Sequence, residues 1–311
     1  MQRTGGFSFD DCRFQENEGV AGGTLFFEHS RESDKPGAVT QSRISSSTFV
    51  KNVARAVGNA TGYAGEGGAL YLSTLQGGME VSLSNSSFAS NKAILGGAMH
   101  VISKKYMATI QIQEQECIFD SNEAISAGAV MIQGEGASFA LRDSEFINNK
   151  GDFGGALYAR KDGRLSVMAA AKTATVISNN SAVKGGGIMC EECGRSDICL
   201  CFCAYFCEGA LLLASRVEFS SNSAREYGGA IFIADLRGVG EIGGSQFEGN
   251  VAAVGGAAAI RDSAHVLIKR GVDKADAVFQ NNIALTAGAL FIRSEHLTSE
   301  IYEVYLTSQS S

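Results

Sequence analysis

Short runs along the whole chain alternate apolar and polar residues with period two, as in Leu70-Tyr-Leu72, Val81-Ser-Leu83, Ile110-Gln-Ile112 and Phe139-Ala-Leu141. Alternation of this kind predicts strands, because a helix would return apolar residues every three or four positions. The runs sit inside a longer pattern: an apolar anchor, two residues, an asparagine, then a Gly-Gly-Ala-type bend leading into an aliphatic strand. Its clearest copies read FASNKAILGGAM from Phe88, FDSNEAISAGAV from Phe119, FINNKGDFGGAL from Phe146, FEGNVAAVGGAA from Phe247 and FQNNIALTAGAL from Phe279. Looser copies start at Phe14, Phe49, Ile177 and Phe219. The anchors are separated by 35, 39, 31, 27, 31, 42, 28 and 32 residues, so the basic unit is 27 to 32 residues with insertions in the longer gaps.

A unit of that length made of several short strands cannot bury its apolar face alone and must stack on its neighbours. The fold class predicted is all-β: a right-handed parallel β-helix, a single-stranded solenoid of about nine coils. It covers residues 1–311 as one domain, with a Cys-rich insertion at 190–208. At a strand spacing of about 4.8 Å the stack would be roughly 43 Å long.

Each column of the internal alignment has a physical task. Asn17, Asn52, Asn91, Asn122, Asn149, Asn180, Asn222, Asn250 and Asn282 share one turn, where an amide can donate to and accept from its neighbours in a ladder. The Phe column should stack inside the coil. Two residues before it, Cys12, Ser47, Ser86, Cys117, Ser144 and Ser245 are small, as a narrow interior requires; Cys12 and Cys117 are expected to be buried thiols. The Gly-Gly pairs mark a bend, and only the first glycine is ever replaced, by Ala127 and Ala287, so the second is the stricter position.

The FxxN and GGA-aliphatic motifs together resemble the repeats of the polymorphic membrane protein family of chlamydial outer membranes, over most of the chain. The resemblance implies a pectin-lyase-like β-helix passenger displayed on a surface, adhesion as its activity, and export by an autotransporter route.

Composition narrows the function further. There are 38 glycines, one proline and no tryptophan, with a net charge of -7 and 26 basic residues spread along the chain. No basic stripe exists of the kind that phosphate neutralisation needs, which argues against nucleic acid. The longest apolar stretch, Ile198 to Ala214, contains Glu208 and is too short for a spanning helix, which needs about 20 residues. Met1 to Asp10 shows no export signal, and the first and last coils have no polar cap, so further domains of the same polypeptide are expected.

Three groups could carry chemistry. Between the inward residues of the Gly-Gly-Ala strand lies an alternate column, Tyr71, His100, Met131, Tyr158, Met189, Phe232, Ala259 and Phe291, expected to face out as an apolar stripe for a protein or carbohydrate partner, to lie under a loop, or only to stabilise the sheet by stacking within the column. At a coil corner Asp235, Arg261, Asp262 and Arg293 could bind an acidic sugar or do acid/base work as in carbohydrate lyases of this fold, or form a solvated turn. Cys190, Cys193, Cys199, Cys201, Cys203 and Cys207 could be disulfide-bonded, could be unpaired thiols or belong to a segment created by a gene-boundary error, or could be thiolate metal ligands, although a second CxxC is lacking. The other long insertions, Val53 to Glu66 and Gly163 to Ala174, read as rim loops. The sequence thus predicts a non-enzymatic, extracellular or cell-surface adhesin-like scaffold without cofactor or metal. A polysaccharide lyase or hydrolase and a purely structural spacer are the alternatives.

Overall fold

The computed structural model describes residues 6–29, 39–56, 65–104, 109–168, 174–192, 210–234, 239–262, 265–269 and 276–293. Among them every regular element is a strand, and no helix is long and apolar enough to cross a membrane. Three parallel sheets of nine strands each run the length of the molecule. One contains the longest strands, such as Gly78–Ser84 and Thr109–Gln115. The second holds three- and four-residue strands around the anchors, such as Ser87–Ala89 and Ile118–Asp120. The third is formed by the strands that follow the glycine pairs, such as Met99–Ser103 and Val130–Gln133. A four-stranded sheet, Ser181–Lys184 to Ile283–Thr286, joins them towards the C-terminal end. The chain visits the sheets in turn, so each strand pairs with its equivalent one repeat later, which is the parallel β-helix solenoid expected from the alternation.

Register holds the columns in line. Phe49, Phe88, Phe119 and Phe146 pair directly across successive strands. Their rings stack with centroids 4.5–4.7 Å apart. Ile177 interrupts the stack, which resumes at Phe219, Phe247 and Phe279. Beside it lies the asparagine ladder. The backbone N–H and the Nδ2 of Asn91 both donate to Oδ1 of Asn122, each at 3.0 Å, and Nδ2 of Asn91 also donates to the carbonyl of Phe49. The same three bonds recur at Asn52, Asn122, Asn149, Asn180, Asn222 and Asn250. All seven side chains are fully buried. A buried amide is tolerated there because its hydrogen-bonding groups find partners within the stack. The small column forms a second ladder, in which N–H of Ser47 donates to Oγ of Ser86 and N–H of Cys117 to Oγ of Ser144. Cys117 is buried as expected, and Cys12, in the first coil, is half-buried.

The glycine pair divides its labour. The first glycine has φ near +60° (Gly67 63, Gly96 63, Gly154 66, Gly228 61), and Ala127 and Ala287 take the same left-handed conformation at 58 and 55. A Cβ on the second glycine would instead lie 1.9–2.0 Å from a carbonyl of the next coil, as at Gly68, Gly97 and Gly128. The first constraint is local and costs about 1–2 kcal/mol for an L-residue. The second sets how closely coils approach, so no side chain fits there.

Candidate functional site

The strand after each glycine pair carries two rows. Leu70, Leu72, Met99, Val101, Val130 and Ile132 point into the solenoid. The alternate row, Tyr71, His100, Met131, Tyr158, Met189, Phe232 and Ala259, is aligned residue by residue as the alternation predicts. The expectation that it lies exposed is overturned: these seven residues are at most 3% exposed, and Phe291 is half-buried. Met131, Tyr158, Met189, Phe232 and Ala259 form a second apolar core outside the first, with Phe153, Tyr227, Ala234 and Phe291 packed against it.

Part of the cover comes from the bend itself. A left-handed glycine turns the chain so that the residue before it lies beside the outward residue four positions after it. Phe153, before Gly154, thus lies 6.2 Å from Tyr158 between ring centroids, and Tyr227, before Gly228, lies 5.4 Å from Phe232. Cations close the flank: Lys104 lies 5.5 Å from the Tyr71 ring centroid, Arg160 5.9 Å from Tyr158 and Arg261 5.4 Å from Tyr227. The stripe thus offers almost no exposed surface, and its residues pack as a second core.

At its N-terminal end the outer column turns polar. Lys104 donates to Glu28 at 2.7 Å, and Ser73 donates to the same carboxylate at 3.1 Å. Burial pulls the Lys104 ammonium down, but its bonds to Glu28 and Tyr71 outweigh that and hold it charged. Burial pushes Tyr71 up to about 12. His100 is fully buried, and neither ring nitrogen has a hydrogen-bond partner; Oε1 of Glu66 lies 4.0 Å from Nδ1. Burial drives the His100 imidazole down to about 3, and burial also raises Glu66. At the next polar point, Tyr158 donates to Glu191 at 2.5 Å and Arg160 donates to Gln133 through two nitrogens.

The charged corner is only partly assembled among the described residues. Arg261 and Asp262 approach at 3.9 Å, Arg261 and Arg293 occupy equivalent positions in adjacent strands, and Arg293 is exposed. Asp235 lies outside the described residues. Arg261 is committed to the Tyr227 ring, a structural role that sequence spacing did not show. Of the six clustered cysteines only Cys190 is described; it is buried and disulfide-bonded, and Cys193, Cys199, Cys201, Cys203 and Cys207 lie outside the described residues. Most of the Val53 to Glu66 insertion, and part of the one at Gly163 to Ala174, lies outside them as well.

One buried acid escaped the sequence reading. Glu114 occupies an inward position whose neighbours in register are Leu83 and Leu141. Its Oε1 accepts from Oγ of Ser144 at 2.5 Å and from N–H of Cys117 at 3.0 Å, and Oε2 is buried without a partner. Burial lifts this carboxyl to about 7. The alternation Ile110-Gln-Ile112-Gln-Glu114 carried the signal, because period two places Glu114 on the inner row with the isoleucines.

The columns described above recur along the stack, with Ile177 in place of one Phe and Ala127 and Ala287 in place of the first glycine, and one copy is recognised from outside the chain. No curated protein and no solved structure matches it. Residues 216–234 match the model of the Chlamydia polymorphic membrane protein repeat. They include Phe219 of the ring stack, Asn222 of the ladder and the Gly228-Gly229 bend. The chain therefore carries a repeat of the polymorphic membrane protein type, built into a parallel β-helix.

Proposed function

We propose that this chain is a surface-displayed, non-enzymatic scaffold that binds a protein or carbohydrate partner in the manner of an adhesin. The observation that carries the reading is the match of a surface-protein repeat to a coil whose Phe, Asn and Gly-Gly geometry recurs throughout the stack. Stacked coils make a stiff rod with repeated, evenly spaced outward positions, which suits presentation of contacts at a distance from a membrane. The contact surface is the rod's exposed exterior, since the aromatic stripe is buried. Its exposed large apolar side chains include Ile125, Val251, Ile283 and Leu285. The disulfide at Cys190 fits an oxidising compartment.

The test is binding of the purified chain to arrayed glycans and cell-surface proteins, with reducing-end release recorded in the same wells. Binding without release is expected. Release that disappears on mutating Arg261 and Asp262 would replace the scaffold reading with a carbohydrate-active enzyme.

A further inference from the structure

We propose that Asn85 and Asn179 are acceptor sites for N-linked glycans, an inference that rests on the surface-display reading. The chain has 14 asparagines, nine of them in the ladder. The seven fully buried ladder residues are each followed two positions later by alanine or glycine, from Asn52 with Ala54 to Asn250 with Ala252. None of them opens an Asn-X-Ser/Thr sequence. Among the described residues the two that do, Asn85-Ser86-Ser87 and Asn179-Asn180-Ser181, lie at coil corners.

The two corners share one geometry. Asn85 and Asn179 are exposed, with φ of 46° and 54°. The middle residue of each triplet points inward and belongs to a ladder: Oγ of Ser86 accepts from N–H of Ser47, and Asn180 bonds Asn222. The third residue, Ser87 or Ser181, is half-buried and opens the next strand. Acceptor amide and hydroxyl are thus the outward pair of each triplet, while the buried member fixes the backbone between them. A sugar on Nδ2 would extend from the rim and disturb neither ladder. The residues at the same corner in the adjacent coils are Ser46 and Glu116 beside Asn85, and Asn148 and Ser221 beside Asn179, all at left-handed turns.

In the transfer, Nδ2 attacks the anomeric carbon of an oligosaccharide carried on a polyprenyl diphosphate. The N–C bond forms as the C–O bond to the diphosphate breaks. Nδ2 gives up one proton, and the lipid diphosphate leaves with the bonding pair. Modification of this class belongs to exported chains and marks surface positions.

The experiment uses the native chain isolated from its source after surface biotinylation. Peptide N-glycosidase treatment in ¹⁸O-water should convert Asn85 and Asn179 to labelled aspartate, read by peptide mass spectrometry, with the ladder asparagines unchanged. A biotinylated chain with both residues unmodified would overturn this proposal and leave the surface reading intact. A chain that is neither biotinylated nor modified would overturn both. In a glycosylating secretory host, Ser87→Ala should remove the glycan at Asn85 alone, and Asn179→Gln the other; a mass unchanged by either substitution would also overturn the proposal.

Discussion

The inner Phe and Asn columns and the outer column from Tyr71 to Phe291 stand on the same strand register, yet they are built by different rules. The inner columns repeat one residue type because each member must match its neighbour: an amide that donates to the next amide, a ring that stacks on the next ring. The outer column mixes Tyr, His, Met, Phe and Ala, because only volume and local cover matter there. Identity is demanded where a hydrogen bond or stack passes from coil to coil. It is relaxed where packing alone decides.

The glycine pair shows the same contrast most sharply. Gly128→Ala places a Cβ 2.0 Å from the carbonyl of Gly155 in the next coil. No side chain can yield there, so the substitution should cost more than about 4 kcal/mol or abolish folding. Gly96→Ala places its Cβ 2.0 Å from the carbonyl of Met99 within its own coil, a clash that the local backbone already relieves at Ala127. Its cost should be about 1–2 kcal/mol. Urea denaturation of the two variants compares them, and equal losses would sink the distinction between coil-to-coil and local constraint.

Truncation tests whether the outer column is a core. Phe119→Ala, in the inner stack, should lose about 3–5 kcal/mol, and Met131→Ala, in the outer column, about 2–5 kcal/mol. An open surface stripe would give a Met131→Ala loss within about 0.5 kcal/mol. The ladder comes next. Asn122→Ala leaves the N–H of Asn91 and the carbonyl of Phe88 without their partners, at about 1–3 kcal/mol for each buried group. Asn17→Ala, at the end of the ladder and exposed, should cost less than half as much.

The inner columns were legible in the sequence because their chemistry is self-complementary and therefore repeats. Phe, Asn and Gly line up once the copies are superimposed. The outer column was legible as a column, since period two fixes the side on which Tyr71 or Met131 emerges. Its burial was not, because the cover depends on a left-handed bend that brings Phe153 or Tyr227 over the strand, and the residue before the glycine has no constant type: Glu66, Leu95, Ser126, Phe153, Lys184, Tyr227. The role of Arg261 stayed hidden for the same reason. Glu114 was overlooked because its column is otherwise apolar, although its place on the inner row follows from counting.

Glu114, on an inner row of the longest strands, and His100, in the outer column, are buried ionisable groups among apolar neighbours, and the two should respond to pH in opposite directions. Glu114 is packed with Leu83, Leu141, Cys117 and Ser144, with Asp143 as the charge that adds to the effect of burial. Its carboxyl is raised from 4.5 to about 7, so the neutral form is the one the fold accepts. Its contribution is complete below pH 4.5 and is lost as pH rises through about 7. His100 meets Glu66, Tyr71, Lys104 and Arg160, and its imidazole is lowered from 6.5 to about 3. Its contribution is complete above pH 6.5 and is lost as pH falls towards 3. Each limb has a slope of at most about 1.4 kcal/mol per pH unit, one proton's worth. Glu114→Leu, which restores the residue of the neighbouring coils, should flatten the alkaline limb only, and His100→Met the acid limb only. Stability measured against pH for both variants decides it. If Glu114→Leu left the alkaline limb unchanged, the carboxyl would be ionised and solvated in the fold, and the inner core would be open to water at that coil.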